Sequence, residues 1–115
     1  MRDPQVSRPA EPGVLELPAG TALPQVGEIV EATSRDGQAV CLAQLENGDL
    51  AAFEPRCPHR GVPLCRGALE GGQVICLDHF WRWQASSGEA AGGSHPDLRT
   101  YRVERQGERL RLLPS

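Results

Sequence analysis

The chain predicts a small all-β domain, an antiparallel sandwich or barrel, and three observations lead there. Its 115 residues include 13 Gly and 10 Pro, so one position in five favours a turn over continuous helix or strand. Short apolar runs recur between turn signals, as separate strands require. No segment offers a long helical period, whereas Thr100-Tyr-Arg-Val-Glu and Arg109-Leu-Arg-Leu exchange charged and apolar residues at period two. At this length one domain and one modest core are expected, here over residues 14–115.

Residues 1–13 hold Pro4, Pro9 and Pro12 and few large apolar groups. Such a segment buries too little surface to offset its ordering entropy, and a flexible tail is expected. Strands are expected at Val14–Leu17, Glu28–Thr33, Ala39–Leu45, Leu50–Glu54, Val74–Cys76, Phe80–Gln84, Thr100–Glu104 and Leu110–Leu113. The dipeptides Asp36-Gly37 and Asn47-Gly48 can take the positive φ angles of tight hairpins, with Gly71-Gly72 and Gln106-Gly107 as weaker signals. Residues 55–72 and 85–98 read as two long loops.

Twelve basic residues, all Arg, stand against fifteen acidic ones, a net charge of -3. That balance argues against sequence-independent binding to nucleic acid. No run approaches the roughly 18 apolar residues that span a bilayer, and the first residues lack the apolar stretch of an export signal. The expected setting is the cytoplasm, where four cysteines read as metal ligands or free thiols before they read as disulfides.

Aromatic residues are scarce, yet Phe80, Trp81 and Trp83 crowd into four positions beside a cysteine and a histidine. Core filling alone accounts for Phe80 and Trp83; what precedes them changes the weighting. Cys57-Pro58-His59 and Cys76-Leu77-Asp78-His79 are two mixed pairs, spaced C-x-H and C-x-x-H with sixteen residues between. Thiolate and imidazole suit soft or borderline metals, and four donors from two loops close a site. The residues leave three readings open: an iron–sulfur site, a mononuclear zinc, or structural Cys and His without metal. Zinc motifs usually repeat like ligands within a pair, and here both pairs are mixed.

Cys57-Pro-His-Arg-Gly61-Val-Pro-Leu64 and Cys76-Leu-Asp-His-Phe-Trp81 resemble the two cluster loops of the Rieske iron–sulfur family. Ser87-Gly88-Glu89 and Leu98-Arg-Thr-Tyr101-Arg-Val103 resemble the segment that follows, and the resemblance extends over roughly residues 14–113. It implies a Rieske-type β-sandwich or barrel with two cluster-binding loops at one tip. It also implies one [2Fe–2S] cluster, with Cys57 and Cys76 on one iron and His59 and His79 on the other. Two thiolates bring the ferric core to zero charge where four would make it a dianion, so reduction is easier, at about -150 to +300 mV. High-potential members join their loops by a disulfide and direct Ser and Tyr hydroxyls at sulfur. Here Gly61, Val62 and Asp78 leave no such disulfide and Trp81 and Trp83 replace the hydroxyls, so the low end of that range is expected.

Cys41 and Cys65 read as core fillers, Cys65 with a smaller claim to be an oxidisable thiol, and His95 reads as an exposed loop residue; none is expected to bind the cluster. Residues 55–85 carry Arg56, Arg60, Arg66 and Arg82 against Glu70 and Asp78, which makes the cluster end relatively positive. With all ligand positions filled by protein, the cluster has no substrate site and carries electrons only. The resemblance is to stand-alone Rieske ferredoxins, electron-transfer components of bacterial oxygenase systems acting on aromatic or hydrocarbon substrates. These pass electrons from an NAD(P)H-dependent flavoprotein reductase to a terminal oxygenase. His79-Phe80-Trp81 is closer to the ferredoxins of diiron monooxygenases, of the toluene monooxygenase type, than to those of ring-hydroxylating dioxygenases. A zinc-stabilised interaction module and a redox sensor are the competing functions.

Overall fold

The computed structural model describes residues 14–58, 61–77, 80–91 and 96–114; the expected tail at 1–13 lies outside the described residues. Its strands are β1 (Leu15–Leu17), β2 (Ile29–Thr33), β3 (Ala39–Gln44), β4 (Leu50–Phe53), β5 (Ala68–Glu70), β6 (Gln73–Ile75), β7 (Arg82–Gln84), β8 (Ala90–Ala91), β9 (Thr100–Gln106) and β10 (Arg109–Pro114). A single 3-10 turn, Leu64–Arg66, is the one helical element among the described residues. Accordingly, no helix there is long and apolar enough to cross a membrane.

All strand ladders are antiparallel and form two sheets, β1-β10-β9-β4-β3-β2 and β5-β6-β7-β8. The large sheet curls around one apolar cluster, in which Leu15, Leu17, Val40, Leu42, Leu110 and Leu112 are buried. A second cluster sits between its β3–β4 portion and the small sheet, drawing Cys41, Ala43 and Phe53 from one side and Val74 and Trp83 from the other. Successive strand residues face opposite ways, so β3 sends Val40 and Leu42 into the first cluster and Cys41 and Ala43 into the second. Burial on both faces is why Ala39-Val-Cys-Leu-Ala43 is continuously apolar while Arg109-Leu-Arg-Leu112 alternates.

Differences from the expected elements fall around the small sheet. β5 and β8 occupy segments read as loops. Gly71-Gly72 supplies the β5–β6 turn with both residues at positive φ, +57° and +79°, the type I′ pattern. By contrast, Asp36-Gly37 and Asn47-Gly48 place only the glycine at positive φ, within three-residue loops. β8 is two alanines with little strand preference of their own, held by Trp83 opposite Ala90. The strand expected at Phe80–Gln84 begins at Arg82, and Cys76 lies just past the end of β6, because the chain between them is a closed turn.

Candidate metal centre

Two turns of the same construction present the two cysteines of the C-x-H and C-x-x-H pairs. In the first, the Cys57 amide donates to the Val62 carbonyl at 2.9 Å and Gly61, at φ +72°, reverses the chain. In the second, the Cys76 amide donates to the Trp81 carbonyl at 2.9 Å and Phe80 takes the reversing position at φ +58°. Each turn therefore opens on a cysteine, goes left-handed four residues later and closes on the fifth. Left-handed backbone costs an L-residue roughly 1–2 kcal/mol, which Gly61 avoids and Phe80 does not. The Phe80 ring is 68% exposed, so little packing offsets that cost.

Each turn is braced at its base. An antiparallel bridge between Arg56 and Pro63 holds the first, with the Leu64 amide donating to the Pro55 carbonyl at 2.8 Å and Arg56 Nη1 to the Gly61 carbonyl at 3.1 Å. The second continues the β6–β7 ladder past the Ile75–Arg82 pair. A third segment packs alongside. The Trp83 indole N–H donates to the Pro96 carbonyl at 2.9 Å, and buried Leu98 donates its amide to the Gly88 carbonyl at 2.8 Å. The Trp83 indole N–H is thus engaged by backbone. Trp81 meets Trp83 edge-on, ring centroids 6.3 Å apart.

Both cysteines are nearly inaccessible, Cys57 at 3% and Cys76 at 2%, and belong to the same apolar cluster. His59, His79 and His95 lie outside the described residues. Among the described residues no three His, Cys, Asp or Glu side chains gather as a metal site; two of the four expected donors are described. Those two fit an iron–sulfur core. Two sulfurs on matched turns, buried in one apolar cluster, are what a thiolate-bound metal needs, whereas such thiolates without a metal would be costly to bury.

The other two cysteines divide. Cys41 is core, as expected, and burial pushes its thiol up from 9.0 to about 12, with the neighbouring Cys65 and Glu31 adding to the shift. Cys65 departs from the expected filler. It is half-buried on the 3-10 turn and its Sγ donates to Glu31 Oε1 at 3.4 Å; burial, and then this hydrogen bond, raise its pKa. Nothing in the local pattern around Glu31 announces that contact, which spans 34 positions. The equivalence of Phe80 with Gly61 was readable as a shared four-residue offset from each cysteine, but masked by the residue type.

A 47-residue segment is 45% identical to the 4beta-methylsterol monooxygenase of Methylococcus capsulatus, covering 41% of this chain and 13% of that protein. The ferredoxin component of the alkene monooxygenase system of Xanthobacter autotrophicus is 28% identical over 75 residues, 64% of this chain and 62% of its own length. The chain thus spans less than two thirds of either relative. In fold, it superimposes on the ferredoxin of carbazole 1,9a-dioxygenase from Nocardioides aromaticivorans with a TM-score of 0.71 at 20% identity, over 88% of this chain and 99% of that one. Residues 17–102 match the Rieske [2Fe-2S] domain, a span that takes in both turns and settles the choice of cofactor between zinc and iron–sulfur. The chain belongs to the Rieske [2Fe-2S] family, whose domain implies a [2Fe–2S] cluster.

Proposed function

We propose that this protein is a one-electron carrier, a Rieske ferredoxin serving an oxygenase system. The observation that carries the reading is the pair of matched turns, each opening on a buried cysteine, within a chain that matches the family across both. The relative from the alkene monooxygenase system and the fold shared with a dioxygenase ferredoxin support the setting. We assign Cys57 and Cys76 to one iron and His59 and His79 to the other. When bound, the cluster accepts and returns one electron.

The chain's own residues set the conditions. Cys57 and Cys76 keep water from the sulfur side, and four protein donors leave no coordination position for a substrate, so the protein has no chemistry of its own to perform. Leu77 and Phe80, 53% and 68% exposed, flank Asp78-His79 and give the second turn an apolar rim suited to a partner surface. A flavoprotein reductase oxidising NAD(P)H is the proposed donor and a terminal oxygenase the acceptor, in the cytoplasm, with no nucleic acid or membrane involved. His79-Phe80-Trp81 favours a diiron monooxygenase over a ring-hydroxylating dioxygenase. With the Trp83 N–H held by Pro96, the potential is expected at the low end of the Rieske range.

The test is a visible and EPR spectrum of the purified protein before and after dithionite, with iron and zinc quantified. Two irons per chain and a reduced-state signal of low average g are expected; a colourless protein carrying one zinc would overturn the reading. His79→Cys adds a thiolate and should lower the potential. An unchanged potential would count against the ligand assignment.

A further inference from the structure

Cys65, Cys41 and Glu31 meet from three parts of the fold, and none belongs to the cluster motifs. The Leu64–Arg66 turn lays Cys65 against the edge strand β2, where its Sγ donates to Glu31 Oε1 at 3.4 Å. Glu31 is the direct cross-strand neighbour of Cys41, so both side chains share a face of the sheet. Cys65 packs onto the apolar cluster that contains Cys41, near enough to add to the rise of the Cys41 thiol although the two lie 24 positions apart in the chain. Both are free thiols. Cys41 is sealed, but Cys65 lines a cavity of about 220 Å³ with Glu31, Arg56 and Arg66, which gives a small reagent a way in. Closing an S–S bond of about 2 Å asks for a local shift of the Cys65 backbone. A single 3-10 turn between Pro63 and Gly67 can absorb it.

We propose that Cys41 and Cys65 form a second redox site, a dithiol that a low-molecular-weight disulfide oxidises to an intramolecular disulfide joining the Leu64–Arg66 turn to β3. Cys65 gives its proton to Glu31 and attacks one sulfur of the reagent. A bond forms to that sulfur, the reagent's S–S bond breaks, and the first thiolate leaves, taking the proton from Glu31. Cys41 then attacks the Cys65 sulfur. The Cys41–Cys65 bond forms, the mixed bond breaks, and the second thiolate leaves with the Cys41 proton. The protein loses two electrons and two protons, and the reagent becomes two thiols. This two-electron couple is independent of the one-electron cluster and does not rest on the carrier reading.

The chain has no lysine, and its arginines place the four cysteines on four separate tryptic peptides, 36–56, 57–60, 61–66 and 67–82. The holoprotein is incubated with oxidised glutathione, capped with an alkylating agent and mapped by mass spectrometry. Peptides 36–56 and 61–66 should appear joined, with most of Cys65 in that form and the visible spectrum of the cluster unchanged. In Cys41→Ala the glutathione adduct should persist on Cys65, at least about fivefold more abundant than in the parent protein, because the second exchange is lost. A stable adduct on Cys65 in the parent protein, an unmodified Cys65, or Cys65–Cys65 dimers would each overturn the proposal. The parent map decides by itself should the variant fail to fold.

Discussion

Phe80 sits where the matching turn has glycine, a bulky side chain held in the left-handed region with its ring in water. Relief of that backbone strain is worth about 1–2 kcal/mol. Glycine costs back about 0.4–1 kcal/mol in unfolded-chain entropy. Phe80→Gly should therefore stabilise the protein by roughly 0.5–1 kcal/mol in denaturant melts, while Phe80→Ala, which keeps the strain, should change little. A stabilised Gly variant would mean the aromatic is retained at a cost to stability, as a contact residue would be. Cys41 makes a separate prediction about pH. Its thiol is raised to about 12 in the fold against an ordinary value of 9.0. Its contribution to stability is therefore intact below about pH 9 and lost as pH rises toward 12, on the order of a few kcal/mol. Tyr101, also raised by burial, adds in the same direction. Melting temperature should fall above pH 9, and Cys41→Ala should flatten part of that fall.

At the scale of elements, the third segment around the site depends on a close backbone approach. Gly88 lies at φ +79°, and a Cβ there would collide with the Leu98 carbonyl and meet the Thr100 methyl at 2.9 Å. Gly88→Ala should cost about 2–4 kcal/mol, combining strain at positive φ with overpacking. A milder probe is Trp83→Phe, which keeps the buried ring and removes the N–H held by Pro96. It should cost about 1 kcal/mol and loosen the Pro96–Leu98 segment, read as faster amide exchange at Leu98. If Trp83→Phe left that exchange unchanged, the hydrogen bond would not be what anchors the segment.

Across the whole molecule, two apolar clusters divide the labour. One is enclosed by the large sheet, whereas the other includes Cys57, Leu64, Cys76 and Trp83 and is shared with the two cysteine-bearing turns. Binding free energy of a cofactor held by folded residues is folding free energy for those residues. Removing iron with a chelator should lower the melting temperature and expose the amides of Leu64, Cys76 and Trp83 to exchange. Amides of Leu42 and Leu112, in the enclosed cluster, should stay protected. Uniform loss of protection would show that the two clusters melt as one.

How much of this could be read from the chain differs from place to place for physical reasons. Period-two alternation and glycine-bearing turns are local, so the β class and the strands of the large sheet were legible, as were the paired Cys and His motifs. β5 and β8 were not, because two or three residues of Ala, Leu and Glu carry no strand signal and gain one only from β6 and Trp83 beside them. The left-handed Phe80 was hidden for the same reason, since closure by the Cys76 amide imposes a conformation its residue type disfavours. The sequence by itself determined the family and the cofactor class, because ligand chemistry resides in residue types at short spacing. Only the tertiary structure decided that Cys57 and Cys76 are buried in one apolar cluster. It alone brought Cys65 to Cys41 and Glu31, because contacts across 24 and 34 positions are made by chain folding and leave no mark on local spacing.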